Sequence, residues 1–264
     1  MMTTKIYLQT RGVAPAAGYR FLGAEPEQAW WLDYGKFTAF EDATILVESD
    51  AGGWRVFLSG IPSSRVDTTG TTNRFTIVIE SADRDGDHVG LVAGLVSTWI
   101  GDIKDQQNEG ELQHALDEVF TDNAVTRLYA QEGDEAWREV RNNVQRALRA
   151  LRALRVLDEP PEPAVRMSAW IAPVRWREGR AGFIGRVRKL LDRDHGAAIL
   201  VNLACSPHAF RNARPADGRL FVLALDEDRK LDEKFDELPR VAPGKDELPR
   251  AVPEKKALVP AGPR

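Results

Sequence analysis

Cysteine is nearly missing from this chain: Cys205 is the only one in 264 residues. A single cysteine cannot close an internal disulfide, so the fold is expected to be held by its core in a reducing, cytoplasmic setting. Histidine is almost as scarce. His88, His114, His195 and His208 lie too far from one another and from Cys205 for a local zinc cluster, so no metal and no cofactor is expected. Long hydrophobic runs are missing too. The longest, Val89–Ile100, is broken by Gly90 and Gly94 and covers about 12 residues, short of the roughly 20 that a membrane helix needs. The opening residues Met1–Ile6 carry no apolar leader, so no secretory signal is expected.

The strong catalytic motifs are also absent. Gly35-Lys36-Phe37 and Gly244-Lys245-Asp246 both lack the Ser/Thr that a phosphate-binding P-loop requires. No Gly-x-Gly-x-x-Gly, Gly-x-Ser-x-Gly or His-Glu-x-x-His occurs. Asp83, Asp85 and Asp87 surround Gly86 as in a calcium loop, but with Gly86 sixth the twelfth position is Val92, which cannot ligate. Helix capping explains them better. Lys245-Asp246-Glu247-Leu248 reads like a retention signal, yet such signals work only at a C-terminus.

Among the features present, charge segregation stands first. The net charge of −4 conceals an uneven layout. Residues 1–133 hold 10 Lys/Arg against 20 Asp/Glu, residues 134–193 hold 14 against 8, and residues 194–264 are balanced. Such opposition reflects either self-complementarity within the chain or separate surfaces for separate partners.

The hydrophobic pattern predicts an α+β protein. Over residues 1–103, alternation gives strands at Lys5–Thr10, Tyr19–Gly23, Thr44–Glu48, Trp54–Ser59 and Arg74–Glu80, a mostly antiparallel sheet, followed by an apolar helix at Val89–Ile103. Residues 104–159 read as amphipathic helices at Glu111–Phe120, Val125–Gln131 and Asp134–Leu157, ended by Pro160-Pro161-Glu162-Pro163. Residues 164–228 form a β-α-β-β unit: strand Val165–Pro173, helix Gly182–Asp192, strands Ala197–Ala204 and Arg219–Leu225. Residues 229–264 are a Pro-rich charged tail, with Asp236–Arg240 repeated as Asp246–Arg250, and are expected to be disordered.

Three stretches are candidates for function. The first is Gly60–Asn73, read as a polar loop between two strands. Its Ser63, Ser64, Arg65 and Asp67, with Arg74 beyond, offer hydroxyls, charge and close backbone approach to an anion, or else are the ordinary capping groups of a long connection. The second is the arginine series on the long helix, including Arg146, Arg149 and Arg152, with Trp170 and Trp176 nearby. It suits a nucleic acid, against which stands the acidic balance of the whole chain. The third is Cys205 after a buried-type strand, with His208 as base for a cysteine hydrolase, or simply a small buried hydrophobe.

Weighed together, these features give the expectation of a non-catalytic cytoplasmic interaction or regulatory subunit of a bacterial multi-protein system, with a protein partner. The alternative is a protein that binds nucleic acid or a nucleotide ligand through Arg65, Asp67, Arg74 and the arginine-rich helix.

Overall fold

The computed structural model describes residues 4–12, 17–38, 40–84, 86–104, 110–151, 169–173, 177–192, 194–201, 220–224 and 236–237. Among them, strands β1 (Lys5–Arg11), β2 (Tyr19–Phe21), β3 (Thr44–Asp50), β4 (Gly53–Val66), β5 (Thr72–Ser81), β6 (Ala169–Pro173), β7 (Gly196–Val201), β8 (Leu220–Ala224) and β9 (Asp236–Glu237) form one sheet. Its order is β2-β1-β5-β4-β3-β7-β8-β6-β9. Pairing is antiparallel from β2 through β7, parallel across β7, β8 and β6, and antiparallel again at β9. Helices α1 (Gly86–Lys104), α2 (Glu111–Val119), α3 (Asp122–Tyr129), α4 (Asp134–Ala150) and α5 (Arg177–Asp192) complete a mixed α+β protein. No helix among the described residues is long and apolar enough to cross a membrane. The Pro160–Pro163 connector, Arg152, Cys205 and His208 lie outside the described residues, as does the tail apart from Asp236–Glu237.

Alternation along the strands separates two faces. Ile6 and Leu8 of β1, Val56 and Leu58 of β4, and Phe75, Ile77 and Ile79 of β5 bury themselves against the helices in one continuous core. Tyr7, Phe57 and Val78 take the other face. There a 3-10 helix, Trp30–Phe37, covers them, with Trp31 stacked on Phe57 at 5.3 Å. Burial of a large apolar side chain contributes about 1.5–3 kcal/mol, so the Trp30-Trp31 pair, both nearly inaccessible, is a second core rather than a ligand platform. Leu32 next to it is exposed.

The stretch Gly60–Asn73 departs from its sequence reading. It is not a long loop: β4 runs on to Val66, and only Asp67–Thr71 turns before β5. Two register shifts, between Leu58 and Ile61 and between Pro62 and Val66, let β4 bend away. Gly60 makes the first bend, with φ at 72° and the position of a Cβ only 2.3 Å from the Asp42 carbonyl carbon. Pro62 is tolerated because β3 pairs with β4 only as far as Ser59; past that point β4 bonds β5 alone.

Candidate functional site

The arm beyond Gly60 holds most of the predicted binding residues, and they are tied into the fold. Asp117 of α2 accepts from the Ser63 hydroxyl and from the Ser64 backbone N–H, each at 2.6 Å. Arg65 is buried over the Phe75 ring, its guanidinium carbon 5.0 Å from the ring centre. It donates to Ser63 Oγ at 3.2 Å, to the Arg11 carbonyl at 3.3 Å and to Thr10 Oγ1 at 2.6 Å. Burial pulls its pKa below the ordinary guanidinium value, while Asp122 and Asp117 oppose the shift.

Asp67 closes the hairpin. One carboxylate oxygen accepts from the Thr69 N–H, the Thr69 hydroxyl and the Thr71 N–H, and the other accepts from Arg11 at 2.5 Å. The Thr69 hydroxyl leads the causes that hold the Asp67 carboxyl below its usual range. Arg74 alternates with Phe75 and so lies on the opposite face from Arg65; its guanidinium reaches the Gly60 carbonyl at 3.4 Å. Arg65, Asp67 and Arg74 therefore do not converge on one concave site.

The arginine-rich helix has the reverse character. Ala136, Val140, Val144, Ala147 and Leu148 bury one side of α4, and the Trp137 indole donates to the Ile6 carbonyl at 3.0 Å, fixing the helix on β1. Arg138, Arg146 and Arg149 are exposed. Steps of eight and three residues bring these three within one side of the helix, along about 16 Å. Among the described residues Arg146 bonds only Asn143, within its own helix. Among the described residues none of the three pairs with a carboxylate, and the ion pair that joins α4 to α3 uses an acid of α4, Glu139, with Arg127.

A third constellation escaped the sequence reading. Register sets Lys5 opposite Glu80, Glu80 opposite Arg55, and Arg55 opposite Glu48, so four adjacent strands carry a row of alternating charge on one face. Direct cross-strand neighbours lie about 5 Å apart between Cβ atoms, close enough to interact. Arg55 donates to Glu48 at 2.9 Å, approaches Asp50 at 3.6 Å, and rests over the Trp30 ring at 5.0 Å. Tyr34 donates to Glu48 at 3.2 Å. Burial pushes the Glu48 and Glu80 carboxyls above their ordinary range and the Tyr34 phenol upward as well. The row opens on a cavity of about 620 Å³ whose walls include Lys5, Glu27, Asp50, Arg55 and Glu80. The signal that would have found it is the polar position of four separate strand alternations falling at one end of the sheet.

No family model, curated protein or solved structure matches the chain.

The functional reading thus rests on the chain's own residues. Among the described residues no group of His, Cys, Asp and Glu is arranged to hold a metal ion. The hairpin arm is a structural network. Among the described residues, Arg138, Arg146 and Arg149 face outward on α4 without a carboxylate partner, and the charged row lies beside its cavity.

Proposed function

We propose that the chain is a non-catalytic interaction or regulatory subunit of a cytoplasmic bacterial multi-protein system, and that α4 carries its docking face. One observation carries this reading: Arg138, Arg146 and Arg149 share the solvent side of a helix whose other side is locked into the core. If the basic segment existed to neutralise the acidic first half, these arginines would pair with it; they do not among the described residues. Arginine forks bind carboxylates in pairs of hydrogen bonds, and lose less side-chain freedom per bond than lysine does. An acidic protein surface is the matching partner. A nucleic acid is a poorer match, because Asp134, Glu135 and Glu139 sit on the same helix and the chain as a whole is negative.

The test compares the tagged wild-type chain with R138A/R146A/R149A in its native extract. Alanine is the best helix former, so the variant is expected to keep its fold. The wild type is expected to retain a stoichiometric partner at low salt, and the variant to lose it with an unchanged melting temperature. Equal retention by both chains, or a partner-free wild type, contradicts the reading. An oligonucleotide mobility titration runs beside it, and tight binding there would move the assignment to nucleic acid.

A further inference from the structure

The row Lys5–Glu80–Arg55–Glu48 has an imbalance that bears on the cavity beside it. Glu80 lies between two cations in register, yet each cation is engaged elsewhere: Lys5 donates to Glu27 at 2.5 Å, and Arg55 holds Glu48 and Asp50. Among the described residues Glu80 makes no ion pair. Lys5, then the buried Trp30 indole N–H, then Arg55 favour the charged form of Glu80, yet the indole makes no well-formed hydrogen bond and neither cation pairs with Glu80 directly. Glu80 is itself half-buried, where an ionised carboxylate without a direct ion pair is costly.

The cavity adds size and charge to this. At about 620 Å³ it falls within the range of small-molecule sites, far beyond the needs of a single ion. Three carboxylates line it, Glu27, Asp50 and Glu80, against the two cations already engaged, with Glu48 behind Arg55. A ligand that fits must bring positive charge, hydrogen-bond donors and an organic body. Metal ions fit poorly, since no metal-binding group of side chains is found among the described residues.

We propose that this cavity binds an organic cation, an alkylammonium or alkylguanidinium group, which seats on the Glu80 carboxylate with Asp50 and Glu27 at the rim. The cation supplies the direct ion pair that Glu80 does not make among the described residues. Lys5 acts as the competing internal cation, kept away from Glu80 by Glu27. This site stands apart from α4 and does not depend on the docking role proposed for it.

Amide NMR titration of the full chain with agmatine, spermidine and the peptide Gly-Gly-Arg-Gly-Gly tests the proposal, with inorganic phosphate as the anion control. Saturable shifts at Glu80, Arg55 and Asp50 are expected with a cationic probe, and the tighter of small molecule and peptide identifies the source of the cation. E80Q is expected to weaken binding by about tenfold, the effect of losing one charge-assisted contact. E27Q, at an exposed position, frees Lys5 to pair with Glu80 and is expected to weaken binding several-fold without touching the core. R138A/R146A/R149A is expected to bind the cation as the wild type does. The proposal is overturned if no cationic probe saturates the shifts by about 10 mM, a range that already admits single weak contacts. Unchanged affinity in E80Q and E27Q, or phosphate shifting the same residues, overturns it as well.

Discussion

Arg65 illustrates how one residue type in one setting serves either recognition or structure. In sequence it stands among serines and threonines between two strands, as a ligand-binding arginine would. In the fold it is 7% exposed, and its donors meet Ser63, the Arg11 carbonyl and Thr10. Nothing in the composition of Gly60–Asn73 distinguishes these outcomes, because the hydroxyls that cradle an anion also cap a hairpin. R65M, which keeps an apolar stem and removes the guanidinium, is expected to destabilise the chain by about 1–3 kcal/mol, since three acceptors lose the hydrogen bonds of that guanidinium. Urea unfolding measures this. Little change would mean that Arg65 is not a structural strut.

Glu48 provides the pH-dependent counterpart. Burial raises its carboxyl pKa in the folded state, Tyr34 from the 3-10 helix and Arg55 from β4 partly oppose that, and Asp50 adds to it. A folded-state pKa above the unfolded value means that the native state binds the proton more readily. The protonated Glu48 therefore favours folding below the ordinary glutamate range, and this contribution is lost as pH rises through the folded pKa. The stability difference between wild type and E48Q is expected to fall for the wild type as pH climbs from about 4.5 toward neutrality. Urea midpoints for both chains across that range check the sign. A difference that grows with pH would contradict it.

At the scale of elements, the strands of strong alternation were legible. Lys5–Thr10, Thr44–Glu48 and Arg74–Glu80 lie inside β1, β3 and β5, and Trp54–Ser59 lies inside β4. The second half of β4 was not legible, because Gly60 and Pro62 read as strand breakers. Only the arrangement of neighbours, with β3 ending its pairing at Ser59, shows why both are admitted. The charged row was hidden for a related reason: its members are single polar positions on four strands, and only register aligns them. Gly60 and Gly70 both have positive φ, at 72° and 80°, but a Cβ at Gly60 meets the Asp42 backbone, whereas at Gly70 it meets open space. G70A is expected to cost about 1–2 kcal/mol from backbone strain alone, and G60A clearly more, because the clash adds to that strain. Thermal unfolding of the two variants separates them; equal losses would show that the bend at Gly60 is not fixed by Asp42.

For the whole molecule, the sheet runs from the acidic first half into the C-terminal strands through the β3–β7 pairing, with α1–α5 contributing to the core on one face and the 3-10 helix Trp30–Phe37 on the other. The class, a mixed α+β protein, was legible from the change of period along the chain. Where the charge would go was not: the count of arginines is the same whether they pair internally or face outward. On α4, Arg138, Arg146 and Arg149 face outward, and that is the basis for proposing that this chain is a subunit. Contacts of exposed arginines with carboxylates weaken with salt, because screening shortens from about 10 Å at 0.1 M to about 3 Å at 1 M. Light scattering on the chain purified from its native extract at low and high salt tests the claim most directly. The expected result is a mass above that of one chain at low salt, falling to one chain at high salt, and to one chain at both in R138A/R146A/R149A. A single-chain mass for the wild type at every salt would contradict the account.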